Sequence, residues 1–163
     1  RQLHYQRYRL SIRTDYCDSC SHYSFTRKWS YIDIRKPMLF GKKLYAGRAA
    51  VCTQNTREDI KTAVVAAYTR FLELNRLHEN TIVSLQFSVT SDITAANPAT
   101  LLRSAGYAPA TALFCSTEPD IDGSPHGIIR FLFYYYGKRK PIPIYLNGAE
   151  KLRPDMFHCA TER

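Results

Sequence analysis

The chain predicts an α/β fold of the α+β kind, in which a mixed sheet carries helices on one face. Three observations lead there. Apolar residues recur at helical spacing between positions 60 and 74. Residues 81–90 alternate in period two. Three further apolar segments after residue 110 are short, rich in aromatic or β-branched residues, and bounded by Gly and Pro. Together they read as β-α-β-α-β-β-β, with strands and helices each needing the other to bury an apolar side.

The first expected strand is 44–52. Asn55-Thr-Arg-Glu58 has the form of a capping box, with Asn55 as N-cap and Glu58 reaching back. The helix it opens runs to about Asn75, with Ile60, Val64, Ala67, Tyr68, Phe71, Leu72 and Leu74 as its core stripe. The second strand is 81–90. It is expected to turn Val83, Leu85, Phe87 and Val89 one way and Ile82, Ser84, Gln86 and Ser88 the other. Asn97-Pro98 is an N-cap followed by Pro at the first helical position. That short helix runs to Ala105, and Gly106 stops it. Strands follow at 111–116, 127–136 and 142–146, and 148–152 reads as a helical turn ended by Arg153-Pro154.

With 163 residues and 45% hydrophobic content, the chain holds one core-forming domain at 44–163 preceded by a basic extension at 1–43. The net charge of +9 divides unevenly. Residues 1–43 hold ten Lys/Arg against three Asp, and 44–163 hold thirteen Lys/Arg against eleven Asp/Glu. The basic excess therefore belongs to the extension, which reads as poorly ordered. Nucleic acid is not the expected partner of the domain, although interleaved Arg and Tyr in 1–43 would suit stacking on a single strand. The first residues lack the apolar core of a signal peptide. The longest apolar run, 128–136, is broken by Arg130 and is too short to span a bilayer. Five scattered Cys make no disulfide framework, so a reducing, cytoplasmic setting is expected. Cys17 and Cys20, with His4 and His22 nearby, lack finger-like spacing, and no metal or other cofactor is expected.

The chemistry concentrates in Cys115-Ser-Thr-Glu118-Pro-Asp120-Ile-Asp-Gly123 and the following Ile129-Arg130. A thiol, a carboxylate and a guanidinium on two extended segments can grip a small polar ligand. Arg130 lies in a very apolar run, and a buried Arg needs a partner. Glu118 could be that partner in a purely structural ion pair. Taken alone, Cys115 and Tyr145 read as core residues, Arg103 as a solvated helix residue, and Arg153 as a cation at a helix terminus.

In order and spacing these segments resemble the AroH-class, barrel-type chorismate mutases over residues 44–155. The blocks are Thr56–Ile60, Ile82–Thr90 with Asp92, Pro98-Ala99 with Arg103, Cys115 through Arg130, and Tyr145-Leu, Gly148-Ala149 and Leu152-Arg153-Pro154-Asp155. The resemblance implies a homotrimeric pseudo-barrel with active sites between subunits. There chorismate would rearrange to prephenate, in phenylalanine and tyrosine biosynthesis. It implies that Cys115, Glu118, Arg130 and Tyr145 are the catalytic group, contributed by one subunit. Ala99, Thr100, Arg103, Leu152 and Arg153 would bind substrate from the next. The family usually carries Arg-Gly in its first strand, where this chain has Gly47-Arg48. Arg48 is therefore expected to need a bulge to reach the substrate, because a one-residue slip reverses a strand's faces. The competing readings are a non-catalytic trimer that binds a small carboxylate, an imine deaminase of similar architecture, and a nucleic-acid-binding role for 1–43.

Overall fold

The computed structural model describes residues 41–156. The sequence-based readings of Cys17, Cys20 and the rest of 1–40 lie outside them. Five strands form one mixed sheet: β1 (Lys43–Cys52), β2 (Ile82–Val89), β3 (Ala112–Thr117), β4 (Ile128–Gly137) and β5 (Ile144–Leu146), in the order β3-β2-β4-β1-β5. β4 runs antiparallel to both β1 and β2, whereas β3 and β5 pair in parallel with β2 and β1 at the edges. α1 (Arg57–Asn75) and α2 (Pro98–Ser104) share a core with one face of the sheet. Among the described residues, no helix is long and apolar enough to cross a membrane.

The α1 stripe buries Ile60, Ala63, Val64, Ala67, Tyr68 and Phe71, and Leu72 and Leu74 pack at its margin. The sheet supplies Ala49, Val51, Leu85, Phe87, Ile129, Phe131 and Phe133. At the centre, Phe71 stacks on Phe133 with ring centroids 3.9 Å apart and planes within 7°. This contact dictates the residue at 47. A Cβ on Gly47 would lie 2.4 Å from the Phe71 ring, so only glycine fits where the helix presses closest to β1.

Two local expectations shift by a residue. The N-cap of α1 is Thr56, not Asn55. The Thr56 hydroxyl accepts from the Asp59 N–H and donates to the Asp59 carboxylate, taking the part expected of Asn55 and Glu58. The Asn55 carboxamide instead accepts from the N–H groups of Thr94 and Ala95, tying the β1–α1 loop to the segment before α2. In β2, Ile82 is buried and Val83 is 47% exposed, the reverse of the expected assignment. The pairing with β4 shifts between Ile82 and Ser84, and one irregular step reverses which side chains face inward. From Leu85 onward the alternation holds.

The other boundaries follow from backbone partners. Asn97 caps α2 by accepting from Ala99 and Thr100, and Gly106 leaves the helix at φ +89°. β5 begins at Ile144 rather than 142. The backbone of Ile142 is already bonded in both directions to the side chain of Asn75, and Pro143 has no N–H to give a ladder. The turn after β5 resolves into two 3-10 segments, Ala149–Leu152 and Pro154–Met156.

Candidate active site

Strand parity builds the site. In register across the sheet, Arg48 stands beside Leu132 and Gln86, and Ala50 beside Arg130, Ser88 and Tyr145. All belong to the face opposite the helices. They line a cleft of about 430 Å³ with Ser116, Leu152 and Arg153. That volume lies within the range typical of small-ligand sites. Three arginines and a phenol converging on one cleft make it cationic and rich in donors, which suits a substrate carrying carboxylates.

Glu118 follows β3 directly. Its N–H continues the ladder by donating to the carbonyl of Val89 at 2.8 Å. Its carboxylate accepts from two directions: Ser88 Oγ donates to Oε1 at 2.6 Å, and Arg130 Nη1 donates to Oε2. The Glu118 side chain is 19% exposed, whereas Arg130 is 37% exposed. Arg130 is therefore not the deeply buried cation that the apolar run around it suggested. Its side chain is partly open to solvent, so burial puts less demand on a partner than the sequence implied.

Arg48 faces the cleft without a bulge, since β1 pairs with β4 in unbroken register from Lys43 to Cys52. Position 48, not 47, is the cleft-facing one, and the bulge expected to re-aim Arg48 is absent. Tyr145 lines the same cleft, with its hydroxyl 4.0 Å from Met156 Sδ. Leu152 and Arg153 were expected from a neighbouring subunit, yet they line the cleft of their own chain, because the turn after β5 folds back beside β1. Arg153 grips Asp155 through two bonds, Nε to Oδ1 at 2.9 Å and Nη2 to Oδ2 at 2.8 Å. That grip holds the Asp155 carboxyl below the usual range, and it offsets part of the positive charge at the mouth.

Glu118 does not itself line the cleft but bonds to Ser88 and Arg130, which do, whereas four predicted residues are not brought to it at all. Cys115 is in register with Phe87 and packs against the core on the helix face. Burial pushes its thiol above the ordinary value, as it does for Cys52. The physical reason is parity again: Cys115 and Ser116 point to opposite sides of β3. Ala99, Thr100 and Arg103 sit on α2, across the sheet. Ala99 packs on the core margin, and Arg103 donates to the carbonyl of Thr111 at 2.9 Å.

Sequence reasoning passed over Gln86, Ser88 and Ser116. The signal was partial, because the period-two pattern grouped Gln86 and Ser88 on one side of β2 without deciding which side faces the core. Only the register with Arg130 turns an outward serine into a site residue. A second, polar cavity of about 650 Å³ lies near the start of α1, lined by Cys52, Asn55, Asp59, Asp92, His126 and Asn147 among others. There Asp92 accepts from the Gly127 N–H at 2.8 Å and stands 3.6 Å from His126 Nδ1. Burial alone would raise the Asp92 carboxyl, but hydrogen bonds from Thr90 and Gly127 outweigh it and hold it below the usual range. Among the described residues, no group of three or more His, Cys, Asp or Glu could hold a metal ion.

Comparison with known proteins agrees with this geometry. Curated protein sequences give no match. Among solved structures, a chorismate mutase from Clostridium thermocellum, Cth-682, superposes with a TM-score of 0.63 at 33% identity, over 66% of this chain and 98% of that one. The family model described as chorismate mutase type I matches residues 45–156, which takes in α1, α2, β2 to β5, all but the first two residues of β1, and the whole cleft. The chain belongs to the type I chorismate mutase family.

Proposed function

We propose that this chain converts chorismate to prephenate in the cleft between β2, β4, β1 and β5, as an isomerase of aromatic amino acid biosynthesis. The observation that carries the assignment of roles is that Arg130 lines the cleft while bonded to Glu118. The reaction is pericyclic: one C–O bond breaks as one C–C bond forms within the same molecule. It needs no nucleophile, proton transfer or metal. What it needs is a compact substrate conformer and a donor where the ether oxygen gains negative charge.

Arg130 supplies that donor. One of its N–H groups is spent on Glu118, and the others remain for the ether oxygen. Glu118 accepts from the substrate hydroxyl. Arg48 and Tyr145 bind a carboxylate, Arg153 adds charge at the mouth, and Leu152 closes the apolar side. Cys115 has no such role in its own chain's cleft. Ala99, Thr100 and Arg103 act, on this reading, in the cleft of a neighbouring copy, which makes the working form a homotrimer. Leu44, Phe114 and Tyr136, all on the face away from the helices, are 55%, 64% and 45% exposed, and a second copy would cover them. The unpaired thiols of Cys52 and Cys115 suit the cytoplasm.

The test is loss of chorismate absorbance with the wild type and Arg130→Ala, alongside sedimentation to count subunits. Turnover in the wild type is expected to fall about 10³-fold in the variant, because one preorganised donor is worth about 3–4 kcal/mol. A folded wild type that binds chorismate without consuming it would leave a carboxylate-binding protein instead.

A further inference from the structure

We infer that Ser88 is a positioning residue for the reaction: it fixes the Glu118 carboxylate and, through it, the Arg130 guanidinium. The inference rests on the mutase reading above and deepens it. Three elements meet at one point. Ser88 on β2 is in register with Arg130 on β4 and with Ser116 on β3, and Glu118 follows β3 one residue beyond the last pairing. The two oxygens of Glu118 are shared out, Oε1 to the Ser88 hydroxyl at 2.6 Å and Oε2 to Arg130 Nη1. A carboxylate held at one oxygen can still rotate about its side-chain bonds. Held at both, its plane is set, and so is the direction in which it pulls the guanidinium.

Ser116 does not compete for this place, because its hydroxyl donates to the carbonyl of Phe87 at 3.5 Å. Ser88 is therefore the side chain that orients Glu118 from the β2 side. The carboxylate is 19% exposed, so water replaces a lost donor only in part, and a hydrogen bond to a charged group is worth more than one between neutral groups. Removing the hydroxyl frees Glu118 and lets Arg130 wander from the ether oxygen. Arg48 and Arg153 stand apart from the pair, so substrate capture persists. The signature is a fall in kcat with little change in KM, which marks an interaction felt in the transition state.

The experiment compares Ser88→Val with Ser88→Thr. The two side chains match in shape, both suit a strand, and they differ by the hydroxyl. Thermal unfolding of each checks that the fold is kept. Ser88→Val is expected to lower kcat about tenfold with KM within about twofold, and Ser88→Thr to recover most of the loss. In a Glu118→Ala background, assayed at high enzyme concentration, the difference between Val and Thr should vanish, because the hydroxyl then has nothing to orient. Equal kcat for Val and Thr in the wild-type background would overturn the inference. So would a difference of the same size without Glu118, which would mean that the hydroxyl acts on its own. A wild type that does not consume chorismate would sink the mutase reading before any Ser88 variant is compared, so the two failures are told apart.

Discussion

One face of the sheet carries Gly47, Phe87, Phe131 and Phe133. The other, one residue away on the same strands, carries Arg48, Ser88, Arg130 and Leu132. The first face is filled by two helices and leaves no room for a single added methyl group at 47. The second is open, charged and polar, and forms a cleft of about 430 Å³. The faces differ because their neighbours differ. On the helix side, close packing makes each side chain's size decisive. On the cleft side, the direction of a few donors is what matters. Stability and chemistry are thus written on alternate residues of the same strands, and substitutions one position apart should have unlike consequences.

The sharpest contrast comes from Phe133, fully buried and stacked on Phe71. Phe133→Ala should cost about 3–5 kcal/mol of stability, measured by chemical denaturation. Its kcat per folded molecule should stay within about threefold, since the cleft lies across the sheet. A large loss of kcat with stability intact would break the separation of the faces. Gly47→Ala comes next. Its new methyl group meets the Phe71 ring, and overpacking of this kind costs about 1–3 kcal/mol. One position along, Arg48→Ala should leave the melting temperature nearly unchanged and raise KM for chorismate about tenfold, the loss expected for one charge-assisted bond to a carboxylate. An unchanged KM would remove Arg48 from the site.

Cys115→Ala should have the smallest effect. The thiol behaves as a small apolar filler on the core side, so about 1 kcal/mol of stability is at stake and kcat should stay within about twofold. A hundredfold loss of kcat would show that Cys115 reaches substrate, and would place its side chain at a surface that its own chain's cleft does not include.

The helix side was legible in advance because size and periodicity are properties of the sequence itself. The α1 stripe, the alternation of β2 from Leu85 onward and the Asn97-Pro98 start of α2 all appear in the structure as read. The errors on that side were single-residue slips. Thr56 rather than Asn55 took the cap, because Asn55 was claimed by Thr94 and Ala95, a contact 39 and 40 residues away that no local pattern reports. The cleft side was legible only in part. Arg130, Glu118 and Tyr145 were named on a family resemblance, and the structure sets Arg130 and Tyr145 on the cleft with Glu118 bonded to Arg130. The same resemblance grouped Cys115 with them, whereas in this chain its side chain packs toward the helix face of β3, and it called for a bulge at Arg48, whereas β1 runs in unbroken register. Ser88 was grouped with Gln86 on one side of β2 and given no role, since its partner Glu118 lies thirty residues ahead.

The glycine at 47 also makes a claim about related sequences. Its missing side chain is imposed by an aromatic ring contributed from α1, so the two positions form a single unit of change. Where relatives carry a larger residue at the counterpart of 47, the counterpart of Phe71 should be smaller, and where the ring is kept the glycine should be kept with it. Paired substitution of this kind, read across many sequences, would record the closest approach of helix and strand without any structure being consulted.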